Sequence, residues 1–278
     1  MPRPTARPAA AVPPMMVKVP AITALFWVVK VLTTGMGEAA SDFLGAVSLL
    51  LAGAVGGLGI VAALLLQFRV RRHIPAVYWF AVAMVAVFGT MAADALHVVL
   101  GIPYALSTTV YALALAVVFL LWRRMEGTLS IHSITTRRRE AWYWLTVLLT
   151  FALGTAAGDL TAFVLHLGYL GSAALFVVAI AVPAVAWRLG ANPVAAFWSA
   201  YVLTRPLGAS AADWLGKPAR LHGLGWGDGT VTAVAVVAIV LLVCWITLAG
   251  HGLIAGGGGQ PPGASRHAAL DELATVED

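Results

Sequence analysis

Apolar runs of about 20 residues, the length a helix needs to cross the hydrocarbon core of a bilayer, recur along the whole chain. They fall at 20–44, 47–68, 75–99, 103–122, 141–165, 169–188, 194–215 and 230–249. Of the 278 residues, 61% are hydrophobic and 10% charged, whereas a soluble domain carries about 25% charged residues. The expected fold is therefore all-α: a polytopic membrane protein with eight transmembrane helices over residues 20–250. Residues 1–19, rich in Pro, Ala and Arg, read as a flexible cytoplasmic tail without a cleavage site. Residues 251–278, which contain GGGGQPPGAS and end in DELATVED, read as a disordered tail. The single Cys244 excludes a disulfide or a Cys-based metal site within one chain.

The net charge of +5 does not describe a nucleic-acid groove, because the basic residues sit in short segments between apolar runs. Thirteen of them share one side of the expected layout: Arg3, Arg7, Lys18, Arg69, Arg71, Arg72, Arg123, Arg124, Arg137, Arg138, Arg139, Arg188 and Arg266. Two, Lys217 and Arg220, fall on the other. This bias places both termini in the cytoplasm, in what would be a bacterial inner membrane. Phe68, Trp122, Trp187 and Trp245, each at the end of an even-numbered run, read as an interfacial belt on that face.

The odd-numbered runs repeat one another. FWVVKVLTTGMGEAASDFL from Phe26, YWFAVAMVAVFGTMAADAL from Tyr78, YWLTVLLTFALGTAAGDLT from Tyr143 and FWSAYVLTRPLGASAADWL from Phe197 share three positions. An aromatic residue precedes Trp27, Trp79, Trp144 and Trp198; Gly37, Gly89, Gly154 and Gly208 follow ten residues on; Asp42, Asp94, Asp159 and Asp213 follow at fifteen. Four of the chain's seven aspartates thus occupy one phase of one repeat. The unit is two helices used four times, at 20–70, 74–124, 140–190 and 193–250. An even number of crossings per unit makes the four copies parallel repeats about an axis normal to the membrane.

With its Trp and its two-helix period, the pattern over residues 20–250 resembles a family of uncharacterised bacterial integral membrane proteins made of four tandem two-helix repeats. The resemblance implies the architecture and no activity.

Spacing turns the repeat into geometry. Each Asp lies about 22 Å along the helix from its Trp, in the outer half of the membrane if the Trp is a cytoplasmic-interface anchor. Glu38, Thr90 and Thr155, four residues before an Asp, share its face. The Gly and the Ala three residues later point away, forming a small-residue notch for a neighbouring helix. Charged groups inside membrane helices face a bundle interior or a wet cavity and suggest function. Asp42, Asp94, Asp159 and Asp213 are expected to ring a central pathway, with Glu38 one turn deeper. Arg205 is placed to pair with Glu38 as a gate or charge switch, and Pro206 should kink its helix. Lys30 lies three residues from Trp27 and is expected to extend its stem to the interface.

The function expected is a transporter or channel for a cation, with a divalent, Mn-like ion expected because carboxylates and hydroxyls are hard oxygen ligands. His97 and His166, if they joined, would shift preference toward a transition metal. The ion is substrate; no cofactor is expected. Alternatives are an exporter of a small organic cation or metabolite, and a non-catalytic scaffold or subunit whose aspartates are structural. No nucleophile–base set or haem-ligand pair is recognisable, so an enzyme is not expected. The partners expected are the lipid bilayer and a small ion or molecule.

Overall fold

A computed structural model describes residues 17–256, in which all regular secondary structure is helical. The helices are α1 (Ala24–Val47), α2 (Leu49–Arg69), α3 (Pro75–Asp94), α4 (Tyr104–Glu126), α5 (Arg137–Asp159), α6 (Gly168–Arg188), α7 (Pro193–Gly216) and α8 (Asp228–Gly256). Six of them are long and apolar enough to cross a membrane. The other two, α1 and α7, carry Lys30, Glu38 and Asp42, and Arg205 and Asp213. Residues 1–16 and 257–278, most of the two expected tails, lie outside the described residues. The end of the first tail does not behave as one, since Lys18 and Val19 are buried.

Local chemistry sets the helix ends. Ser48 ends α1 in an extended conformation and caps α2 by accepting from the Leu51 amide, so a single residue turns the corner. Thr136 caps α5 and Asn192 caps α7, whose first residue is Pro193. Arg137, Arg138 and Arg139, expected in a loop, form the first turn of α5. There Arg138 and Arg139 both pair with Glu126 at the end of α4, with Arg139 Nε 2.8 Å from Glu126 Oε2.

The first helices of the repeats close a ring: α1 packs on α3, α3 on α5, α5 on α7, and α7 on α1. The second helix of each repeat covers the first helix of the next, α2 on α3, α4 on α5, α6 on α7 and α8 on α1. Repeated glycines allow this closeness. A Cβ at Gly37 would lie 2.4 Å from Ala86 Cβ, and one at Gly208 would lie 1.8 Å from Thr34 Oγ1. Gly89 and Gly154 meet Phe151 and Arg205 in the same manner, so each notch seats the next helix of the ring. Outer faces carry exposed apolar side chains such as Leu50, Leu58, Val178 and Leu241, compatible with lipid contact.

The motif tryptophans do not anchor an interface. Trp79, Trp144 and Trp198 are buried and Trp27 is partly buried, because each fills the seam between repeats. Phe26 packs on Trp79 (ring centroids 5.6 Å), Tyr78 on Trp144 (5.8 Å), Tyr143 on Trp198 (6.1 Å) and Phe197 on Trp27 (5.8 Å). Eight rings thus form a closed aromatic belt, with edge or tilted contacts that add to their apolar burial. Trp122 is buried against Trp198 at 5.7 Å, whereas Trp187 and Trp245 are exposed.

Candidate functional site

Stepping back four residues at a time from each repeated Asp gives one residue per repeat at each level, about 6 Å apart along the helix. The levels are Asp42, Asp94, Asp159 and Asp213; then Glu38, Thr90, Thr155 and Ala209; then Thr34, Ala86, Phe151 and Arg205; then Lys30, Val82, Val147 and Tyr201. Every residue in the last three levels is buried, with Lys30 and Arg205 at 0% exposure and Glu38 at 3%. Contacts cross the ring between helices that do not adjoin in it. Thr155 of α5 donates to Glu38 Oε2 of α1 at 3.3 Å, and Lys30 of α1 lies 4.3 Å from the Phe151 ring of α5. The stripes therefore meet along one sealed polar axis.

At the second level Arg205 Nη2 donates to Glu38 Oε2 at 2.7 Å and to Thr155 Oγ1 at 2.7 Å, and it also contacts Thr90. The ion pair expected between the first and fourth repeats is present, with both hydroxyl-bearing partners joined to it. Arg205 Nη1 also donates to the Thr34 carbonyl oxygen at 3.3 Å. The helix α7 continues through Pro206 as one element. Gly154 accommodates the Arg205 stem and the proline ring, which keeps the helix seated. Departures from α geometry occur elsewhere, as π-helical turns at Ala95–Val99 and Leu160–Val164, directly after Asp94 and Asp159. Such turns frequently mark functional positions.

The aspartates fall into two pairs. Asp42 binds the Lys217 ammonium, which also lies 3.2 Å from Asp228 and 3.9 Å from Asp213. Burial opposes the Lys217 charge, but Asp42 and Asp213 outweigh it and raise its pKa above the ordinary lysine value. Oxygens of Glu38, Asp42 and Asp213 lie within 4.8 Å of one another, a spacing that can hold a metal ion. Asp94 and Asp159 make no hydrogen bond or ion pair with any described residue, yet both lie within electrostatic reach of Glu38 and Asp42. Carboxylates of all four repeats thus gather at one end of the axis. Neither expected histidine joins them: His97 stacks on Tyr104 at 3.6 Å with Nδ1 2.8 Å from the Ile102 carbonyl oxygen, and His166 is exposed.

Several polar groups escaped the sequence reading. Lys30 does not reach an interface; its Nζ is enclosed by the rings of Phe151 and Tyr201, each at 4.3 Å, and makes no hydrogen bond. Its place twelve residues before Asp42, on the same stripe, was the signal available. Lys217, four residues after Asp213, carried a similar one. At the other end of the axis Lys18 Nζ donates to both Glu140 oxygens, at 2.8 and 2.7 Å, and Gln67 Nε2 donates to Glu140 Oε1. Burial pulls the Lys18 pKa below its ordinary value in spite of Glu140. These groups share a narrow crevice with Tyr78 and Tyr143, whose hydroxyls are 2.6 Å apart.

The fold and the axis define a multi-helical membrane protein built from four copies of one two-helix unit. It belongs to the family defined by the Repeat of Unknown Function DUF347, whose repeat matches residues 25–73, 77–128, 142–190 and 196–251. No curated protein and no solved structure matches the chain.

Proposed function

We propose that this protein is a carrier for a divalent, Mn-like cation, with all eight helices crossing the membrane. The four repeats run parallel about an axis normal to the bilayer, with both termini in the cytoplasm of a bacterial cell and the aspartates toward the outer face. The observation that carries this reading is the gathering of four repeats' carboxylates at one end of the axis with Asp94 and Asp159 unbonded. A carboxylate that only secured the fold would be tied to a neighbour, whereas these two are half-buried and make no such bond.

The charges favour a divalent ion. Glu38, Asp42 and Asp213 are served by two tethered cations, Arg205 and Lys217. An ion carrying two positive charges competes with both for the same three carboxylates. All donors are hard oxygens, which suits Mn²⁺, Mg²⁺ or Ca²⁺. A sealed axis holding Lys30 and Arg205 argues for a carrier over an open channel, and against a bulky organic substrate. Binding releases Glu38 from Arg205, and that exchange is the switch that links occupancy to the ring.

Calorimetric titration with Mn²⁺ on the purified chain, paired with flux into proteoliposomes, tests the reading. Wild type binds and transports; Asp42→Asn loses binding, and Asp94→Asn or Asp159→Asn loses flux while remaining folded. Undiminished flux in all four single Asp→Asn variants would overturn it.

A further inference from the structure

Of the cationic side chains along the axis among the described residues, Lys30 alone has no carboxylate partner. Its Nζ is fully buried and without a hydrogen bond, although an ammonium offers three donors. The ring of Phe151 lies 4.3 Å from this nitrogen and 5.1 Å from the Arg205 guanidinium carbon, so one side chain touches both charges. Only Arg205 is neutralised, by Glu38.

Lys30 is also where the polar trail from the opposite end stops. That trail starts in the crevice of Lys18, Gln67 and Glu140, continues through the paired hydroxyls of Tyr78 and Tyr143, and reaches Tyr201. The Tyr201 ring faces the lysine nitrogen at 4.3 Å. The ionisable groups around Lys30 can be taken helix by helix. Glu38 lies two turns along on α1; Tyr78 comes from α3, Tyr143 from α5, and Tyr201 and Arg205 from α7. Between Leu49 and Phe68, α2 has no ionisable side chain, and α8 between Gly229 and Ala249 has only the exposed Cys244.

We propose that Lys30 is the proton-binding site of a cation/proton exchange, protonated while Glu38 neutralises Arg205 and deprotonated once a divalent cation takes Glu38. This rests on the carrier reading above. When the ion claims Glu38, the Arg205 charge loses its counter-ion beside a second positive charge, and like charges in a poorly solvated setting repel strongly. Lys30 then gives up one proton and becomes a neutral amine. That proton leaves toward the aspartate end, from which the ion entered, so one proton is released for each ion bound. Once the ion has gone to the crevice side, Arg205 returns to Glu38 and Lys30 takes up one proton from that side. Each ion carried one way is thus exchanged for one proton carried the other.

The test uses full-length protein in proteoliposomes with an internal pH dye, Mn²⁺ as probe and an imposed pH gradient. Wild type accumulates Mn²⁺ against its gradient and moves protons the other way. Lys30→Met, always neutral, binds Mn²⁺ and passes it downhill, with loss of both accumulation and proton movement. Lys30→Arg, always charged, loses transport altogether. Titration in buffers of different ionisation heat shows protons released on Mn²⁺ binding by wild type and none by Lys30→Met. If Lys30→Met fails to fold, Lys30→Gln gives the same readout. Wild-type proton coupling in the neutral variant overturns the role of Lys30 and leaves the cation site standing. Absence of Mn²⁺ binding by wild type overturns the carrier reading and this proposal with it.

Discussion

Arg205 of the fourth repeat and Glu38 of the first lie 2.7 Å apart in the middle of the ring, both buried. They join the last repeat to the first, where chain connectivity supplies no link. Removing one partner of such a buried pair leaves an unanswered charge and typically costs about 3–5 kcal/mol, whereas replacing both with apolar groups is often neutral. Glu38→Gln should therefore lower stability by about that amount, and Glu38→Leu with Arg205→Met should recover most of it. Unfolding in detergent measures both.

The glycine notches give a steric prediction. Gly37→Ala drives a methyl group against the Ala86 backbone, whose carbonyl carbon would be 2.8 Å away. Overpacking of this kind costs about 1–3 kcal/mol. Gly53→Ala in α2 meets nothing within 4 Å and should be neutral or stabilising by about 0.5–1 kcal/mol, since it only trades glycine for a better helix former. Melting temperatures of the two variants should move in opposite directions.

Acid sensitivity should involve His73, between α2 and α3. Burial lowers its pKa below the ordinary 6.5, and its Nδ1 contact with the Lys18 carbonyl oxygen only partly offsets this. As pH falls through about 6.5 the unfolded chain takes up the proton before the folded one does. The stability present above that pH is thus lost on acidification. His73→Gln should flatten the acid side of a melting-temperature profile and leave the alkaline side unchanged.

Lys217 competes with any cation for Asp42. Lys217→Met should strengthen Mn²⁺ binding by about tenfold, equivalent to about 1.4 kcal/mol, as read by titration calorimetry. Asp94→Asn and Asp159→Asn break no hydrogen bond and should leave the melting temperature of the metal-free protein unchanged or higher. Asp42→Asn, which removes one of the three carboxylates around Lys217, should lower it.

Much of the fold was legible in the sequence because it depends on local periodicity. Run length located all eight helices, and the fifteen-residue spacing from Trp to Asp identified the unit. The Arg205–Glu38 pair was legible too, since both residues break the repeat at neighbouring levels of one stripe. Roles that depend on neighbours were misread. Lys30 and Arg205 are both cations on lining helices, yet only packing shows that Arg205 is answered and Lys30 is not. Trp79 and Trp144 have the spacing of interface anchors, but the aromatic residue of the preceding repeat buries them.

The amino-acid order by itself determined a helical, membrane-suited chain of four like units with acids at one phase, because helix formation and apolar matching are decided within about 20 residues. Only the tertiary structure decided how the copies close: α7 returns to α1, glycines let the backbones approach, and the stripes meet. The contacts that matter most at the axis join residues more than a hundred positions apart, as with Glu38 and Arg205. Which charges find partners there depends on where whole helices come to rest, and no local pattern encodes that.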